Sequence, residues 1–233
     1  LGTPYLEGSY FNDQPNAEHV ASPRVFKSHL IWEERPQGGM LYKQIWVFRG
    51  SKPMMRSVAH FLPSLWGIDP PLSEEEMASF LLDAGDVESA MRSLASAWEH
   101  RKDPGVLLLF YENILSHHRE TVESIAKFMN VPLTASEVDR VVDQTTKEGM
   151  LRHHRAFSCR IQAQNAHAAR SLYLDPMKLI GKVRHRSTGT TAGSGEDSSE
   201  VWVKIEAAVQ RAWHHCVVPK TGLIDYDSMR LAE

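Results

Sequence analysis

A chain of 233 residues, 42% hydrophobic and 24% charged, has the composition of one globular domain large enough to bury a core. Its net charge of -3 gives no ground for a global pull toward nucleic acid or an anionic membrane surface. No apolar run approaches the ~20 residues needed to span a bilayer, and two isolated cysteines, Cys159 and Cys216, make neither a disulfide framework nor a metal knuckle, which points to a reducing compartment, the cytoplasm.

Leu1-Gly2-Thr3-Pro4-Tyr5 has neither the basic nor the apolar region of a signal peptide, and a start without Met is expected of a fragment or a processed terminus. Residues 1–24, rich in Gly, Pro, Asn and Ser, read as an irregular lead-in. Val25–His29 and Gln44–Phe48 are short runs with β-branched and aromatic residues, and both predict strands. Ser73-x-x-Glu76 is a capping box that opens a helix with Met77, Phe80 and Leu81 on one face. Val87, Ala90, Met91, Leu94 and Trp98 form a second apolar stripe. Gly105 to Glu112 is a third strand run, apolar throughout its centre, as expected when helices cover both faces of a parallel strand.

Val122, Ile125, Ala126 and Met129 mark the next helix. Thr134-x-x-Glu137 is a second capping box, leading into Val138, Val141 and Val142. From Lys147 to Arg186 nine lysines and arginines face only Glu148 and Asp175, either a solvated basic face or one wall of an anion site. Residues 187–199 predict a loop, flexible or ordered by a ligand. Val201, Ile205, Ala208, Val209 and Ala212 mark a last helix before Pro219 and Gly222. Alternation of strands and helices implies a three-layer α/β sandwich with a mostly parallel sheet, in a single domain over 1–233.

Chemistry gathers at the predicted strand ends. Lys27 and His29 are two apart on a strand, so they share a face. A histidine of near-neutral pKa accepts a proton from an attacking hydroxyl, and a neighbouring lysine stabilises anionic oxygens. Arg49 stands at the carboxyl end of the second strand, where open α/β sheets bind ligands. Ser57 follows one helical turn beyond Pro53, and the two together suit a phosphate. Taken singly, the first pair reads as a surface lysine with a satisfied strand-end histidine, and the second as a surface ion pair with a helix-face serine.

Flanking residues carry a resemblance. Arg24-Val25-Phe26-Lys27-Ser28-His29-Leu30 resembles the K-T-H-L strand of the cytosolic sulfotransferases. Ile45 to Phe61 is similar to their V-x-R-N-P-K-D-x-x-x-S-x-x-H-F segment, matching at Arg49, Lys52, Ser57, His60 and Phe61. Leu109-Phe110-Tyr111-Glu112-Asn113 resembles L-x-Y-E-D, Ile125-Ala126-Lys127-Phe128 resembles I-A-x-F-L, and Thr145 to Met150 resembles T-S-F-x-x-M. Upstream, Pro4-Tyr5-Leu6-Glu7 resembles P-W-x-E. The order and spacing of these pieces over residues 4–150 are more specific than any one of them.

The resemblance implies a sulfotransferase fold of the P-loop-containing nucleotide hydrolase class. It also implies transfer of a sulfuryl group from 3′-phosphoadenosine 5′-phosphosulfate (PAPS) to a hydroxyl or amine of a small-molecule acceptor. The product is adenosine 3′,5′-bisphosphate (PAP), with no metal, no nucleic acid and no membrane involved. His29 would match the catalytic base and Lys27 the lysine that stabilises charge. Arg49 and Ser57 would match the 3′-phosphate ligands, Tyr111 a tyrosine near the nucleotide and Thr145 a residue at its adenine end. Arg184 falls in a loose counterpart of the family's R-K-G-x-x-G loop, Lys182-Val183-Arg184…Gly189…Gly193. Monomer and homodimer both remain open.

Lys147 stands where the family usually has an aromatic residue. The family's P-K-S-G-T-T-W phosphosulfate loop lies upstream of P-W-x-E, so the chain is expected to be truncated before that segment. The alternative reading is therefore a non-catalytic nucleotide-binding module or an incomplete fragment. A kinase-like phosphoryl transferase would need a Walker A loop and Mg²⁺ carboxylates, and neither is evident. The tail from Ala212 through Tyr226 resembles ends of microbial-type members and reads as structural. The pairs His117-His118, His153-His154 and His214-His215 read as surface histidines, because adjacent side chains diverge. Trp66, Trp98 and Trp213 read as core or pocket walls, and Trp66 or Phe61 as candidates for an acceptor pocket.

Overall fold

The computed structural model describes residues 23–28, 30–34, 42–66, 73–83, 85–153, 158–160, 179–181 and 200–233. A single 3-10 turn, Trp32–Glu34, precedes strand β1, Gln44–Phe48, and helix α1, Ser51–Trp66. Helices α2, Glu74–Asp83, and α3, Asp86–Glu99, lead to β2, Val106–Phe110. Then come α4, Tyr111–Ser116, α5, His118–Met129, α6, Ala135–Thr145, and α7, Lys147–Arg152. Short strands β3, Ser158–Arg160, and β4, Leu179–Gly181, precede α8, Glu200–Ala212. A π turn, Trp213–Val217, joins α8 to α9, Val218–Thr221, and α10, Tyr226–Leu231, ends the fold.

β1 and β2 pair in parallel, with Gln44 opposite Val106 and Phe48 opposite Phe110. A parallel pair needs a crossover, and α1 to α3 supply it. The core lies on one face of this pair. Leu108 and Phe110 of β2 pack there with Met55 of α1, Leu94 and Trp98 of α3, and Ile205 of α8. On the other face Ile45 and Val47 are exposed, at 39% and 54%, while Leu107 and Leu109 are half-buried. Among the described residues, coverage of both faces, expected from the apolar run, is thus complete on one only.

Local chemistry explains the helix starts. The Glu76 amide donates to Ser73 Oγ at 3.1 Å and the Ser73 amide donates to Glu76 Oε2 at 2.8 Å, so the first expected capping box forms. The second, Thr134 with Glu137, forms as well. Each satisfies two amides that the helix itself leaves without partners. In α3 the stripe is buried as its spacing predicts, with Val87, Met91, Leu94 and Trp98 all at 5% exposure or less. In α2 the buried face runs through Ala78 and Leu81, and Phe80 is 49% exposed. Helical spacing marks a broad face, and only packing against α1, α3 and α8 decides which edge of it is covered.

Three expectations are corrected. The strand over Val25–His29 reduces, among its described residues, to an extended run with one bridge at Lys27. The Leu30 amide donates to Ser28 Oγ at 3.0 Å, a local turn that competes with continued pairing. The third strand stops at Phe110, and Tyr111 and Glu112 already belong to α4. The helix marked by Val201 to Ala212 ends at Ala212, before Pro219, as expected, but it is not the last: the chain runs on through the π turn into α9 and α10, and Pro219 sits in the first turn of α9, where its missing N–H costs least. The antiparallel pair β3–β4, with Cys159 opposite Ile180, was not evident from periodicity, because three-residue strands are too short to show any.

The lead-in over 1–22, His29, Arg184, the 187–199 loop, and the side chains of Phe61 and Trp66 lie outside the described residues. Among those described, no helix is long and apolar enough to cross a membrane. Cys216 is a buried free thiol, which burial and the Glu88 charge push up.

Candidate functional site

Parallel pairing in register carries β1 and β2 to the same edge. Arg49 and Tyr111 therefore leave the sheet side by side, one after Phe48 and the other after Phe110. The Arg49 guanidinium lies 4.8 Å from the Tyr111 ring centre, a cation held against the negative face of the ring. Among the described residues it stands over this aromatic face and closes no ion pair, so its planar fork of N–H donors is left for an anion. That donor set fits a phosphate, which arginine binds through two parallel hydrogen bonds.

Glu112, next to Tyr111, secures the turn. Its Oε1 accepts from the Gly50 amide at 3.1 Å, directly before α1, whose first turn is closed by the Met54 amide donating to the Gly50 carbonyl at 3.0 Å. Its Oε2 accepts from the Tyr226 hydroxyl of α10 at 2.7 Å. Burial pushes the Glu112 carboxyl up, but the Tyr226 hydroxyl, the Gly50 amide, its own amide and the Arg49 charge outweigh this and hold it below the ordinary carboxylate range. Burial and the Glu112 carboxylate together push the Tyr226 phenol far up, so it remains a donor.

The four residues after Leu109 thus divide their work. The Phe110 ring meets the Tyr226 ring edge-on, with centroids 5.5 Å apart. Tyr111 takes Arg49, and Glu112 takes Gly50 and Tyr226. Asn113 Oδ1 accepts from Arg230 Nη1 at 3.0 Å. Glu112, Gly50 and Tyr226 were missed as site residues. The only signal in the sequence was that Gly50, Glu112 and Tyr226 each fall inside a segment that resembles the family.

Other expected site residues lie as follows. Lys27 is exposed at its bridge position, and Ser57 is exposed on α1, two turns into the helix that Gly50 opens. Thr145 closes α6, where its hydroxyl donates to the Val141 carbonyl at 2.7 Å and meets His118 Nε2 at 2.9 Å. His117 Nδ1 pairs instead with Ser116 Oγ, so the adjacent histidines do diverge. Thr146 caps α7 by accepting from the Gly149 amide at 3.0 Å. A Cβ at Gly149 would stand 2.1 Å from the Asp143 carbonyl oxygen, so only glycine lets the two helices join this closely. Among the described residues no group of three or more His, Cys, Asp or Glu is placed to hold a metal ion.

Comparison with known proteins gives one consistent answer. The family profile described as "Sulfotransferase domain" matches residues 3–171. The chain is 30% identical over 150 residues to the amine sulfotransferase of Oryctolagus cuniculus, an alignment covering 63% of this chain and 49% of that one. It is 30% identical over 147 residues to sulfotransferase 1B1 of Mus musculus, covering 55% and 44% respectively. The chain thus spans about half the length of the curated relatives it matches. Among solved structures, mouse sulfotransferase SULT7A1 complexed with PAP superposes with a TM-score of 0.57 at 17% identity, over 91% of this chain and 73% of that one. Retinol dehydratase in complex with retinol and PAP gives 0.60 at 18%, over 89% and 59%. Its complex with androsterone and PAP gives 0.58 at 16%, over 90% and 61%. At such identities these structures establish the fold, which is the α/β sulfotransferase fold, and the profile match over most of the chain establishes the lineage: the chain belongs to the sulfotransferase domain family.

Proposed function

We propose that the protein transfers a sulfuryl group from PAPS to a hydroxyl or amine of a small acceptor. The observation that carries this reading is the meeting of Arg49 and Tyr111 at the carboxyl edge of the parallel strands. Two residues assigned to one nucleotide from separate sequence segments come together where sheets of this class bind ligands. The family match and the PAP named with the solved neighbours support it.

Bound PAPS would supply a sulfuryl group already activated as a phosphosulfate anhydride. Arg49 and Ser57 then hold the 3′-phosphate, with Tyr111 beneath the guanidinium, Thr145 at the adenine end and Arg184 contributing from the basic segment. His29 takes the acceptor's hydroxyl proton on an imidazole nitrogen as the new S–O bond forms. Lys27 sets its ammonium against the negative charge that builds on the departing 5′-phosphate oxygen as the old S–O bond breaks. The acceptor is a small hydroxyl-bearing molecule, by analogy with the retinol and androsterone named with the neighbours. On this reading residues 1–233 form one domain working in the cytoplasm, as a monomer or a homodimer.

The test uses the intact protein, with and without His29→Ala, in transfer from PAPS to a phenol and in calorimetry with PAP. Transfer should vanish while PAP binds as before. Transfer at the wild-type rate in His29→Ala overturns the assignment.

A further inference from the structure

The tail, read from sequence as structural, reaches the candidate site through Tyr226 and Arg230. The α10 residue Tyr226 reaches 114 positions back along the chain to Glu112. We infer that Tyr226 is a positioning residue: its hydroxyl holds the Glu112 carboxylate on the Gly50 side of the turn and so keeps the Arg49 guanidinium open to a phosphate. The inference rests on reading Arg49 as a phosphate anchor.

Geometry makes the case. A carboxylate within electrostatic reach of an arginine ordinarily closes on it, often through two hydrogen bonds. Glu112 stands beside Arg49, because its Oε1 accepts from the amide of Gly50, the residue after Arg49, while Tyr111, the residue before Glu112, carries the guanidinium. Yet Arg49 lies over the Tyr111 ring, and both Glu112 oxygens have other donors, the Gly50 amide on Oε1 and the Tyr226 hydroxyl on Oε2. The Gly50 amide is part of the backbone turn and cannot leave. Tyr226 is the donor that a change in the tail would remove.

The placement of Tyr226 is itself well defined. Asp225 caps α10 by accepting from the Ser228 amide at 2.7 Å. Arg230 donates to Asn113 Oδ1, and Asn113 Nδ2 in turn donates to the Arg230 carbonyl at 3.5 Å. The Tyr226 ring rests on Phe110, which is 1% exposed. The hydroxyl is therefore aimed by contacts on both sides of it.

If Tyr226 loses its hydroxyl, Glu112 Oε2 is left half-buried without its donor. A charged oxygen released in this way takes another donor, and Arg49, which precedes Gly50 in the chain and stands over Tyr111 beside Glu112, offers its fork of N–H groups. The carboxylate would swing to the guanidinium and compete with any phosphate for the same N–H fork. Tyr226→Phe keeps the ring on Phe110 and so leaves the packing intact.

Two measurements on the 233-residue chain test this. The first needs no nucleotide. The Arg49 Nε–H signal, followed by NMR in the ligand-free chain, should shift to an ion-paired position in Tyr226→Phe and return in Tyr226→Phe/Glu112→Gln. An unchanged signal in Tyr226→Phe overturns the inference whether or not any nucleotide binds. The second is calorimetry with PAP. Tyr226→Phe should weaken binding roughly threefold to tenfold, about the worth of one hydrogen bond, and the added Glu112→Gln should restore it. A tail that merely supports the fold would leave the double variant at least as weak as the single one, which also overturns the inference. If Arg49→Ala binds PAP as tightly as wild type, the phosphate-anchor reading fails instead, and the NMR result still decides the role of Tyr226.

Discussion

The guanidinium of Arg49 lies 4.8 Å from the ring centre of Tyr111, joining the first residue after β1 to the first residue after β2. The pairing is a direct consequence of parallel register, since Phe48 faces Phe110 in the ladder. It sets a cation over an aromatic face at the edge of the sheet.

Removing that cation should cost affinity for a 3′-phosphate. Arg49→Ala is expected to weaken PAP binding by about 1.5–3 kcal/mol, the range for a hydrogen bond to a charged group. Arg49→Lys should recover only part of this, because an ammonium lacks the planar fork and stacks less well on Tyr111. Calorimetry across the three proteins measures both effects, and equal affinities would remove Arg49 from the site.

Glu112 makes stability depend on pH in a defined direction. Its carboxyl is held below its ordinary value in the fold, so the unfolded chain binds the proton more readily. The contribution is therefore fully present above the ordinary carboxylate value and is lost as pH falls through the lowered folded value. Thermal unfolding followed from neutral to strongly acidic pH should show a smaller acid loss in Glu112→Gln than in wild type. A steeper loss in the variant would reverse the sign and refute the assignment.

Gly149 is expected to tolerate no side chain. With a Cβ 2.1 Å from the Asp143 carbonyl oxygen and 2.8 Å from that of Gln144, the obstacles are backbone atoms that cannot rotate away. Gly149→Ala should destabilise the chain by at least ~1–3 kcal/mol, the usual cost of overpacking. Denaturant unfolding with an unchanged midpoint would show that the α6–α7 junction yields more easily than its geometry indicates.

Thr134→Ala offers a milder contrast. The side chain accepts from the Glu137 amide at 3.4 Å while Glu137 Oε2 accepts from the Thr134 amide at 2.8 Å. Loss of the threonine half should cost about 0.5–2 kcal/mol, and the change should appear as a lower melting temperature with no effect on PAP affinity. An altered affinity would tie this cap to the nucleotide site.

What the amino-acid sequence determined by itself was local or periodic. Both capping boxes, Ser73 with Glu76 and Thr134 with Glu137, depend on residues three apart and formed as read. The α3 stripe from Val87 to Trp98 depends on helical spacing and is buried as read. Arg49 and Tyr111 could be nominated singly, because each lies in a short segment resembling a family motif. Their contact could not, since it exists only once two strands far apart in the chain pair in parallel register. Tertiary packing alone decided that Phe80 would be left 49% exposed within an apolar stripe. It also decided that Glu112 would take the Gly50 amide and the Tyr226 hydroxyl. Side-chain partners of that kind are chosen by which elements meet in space, and no spacing along the chain encodes the meeting of α10 with the end of β2.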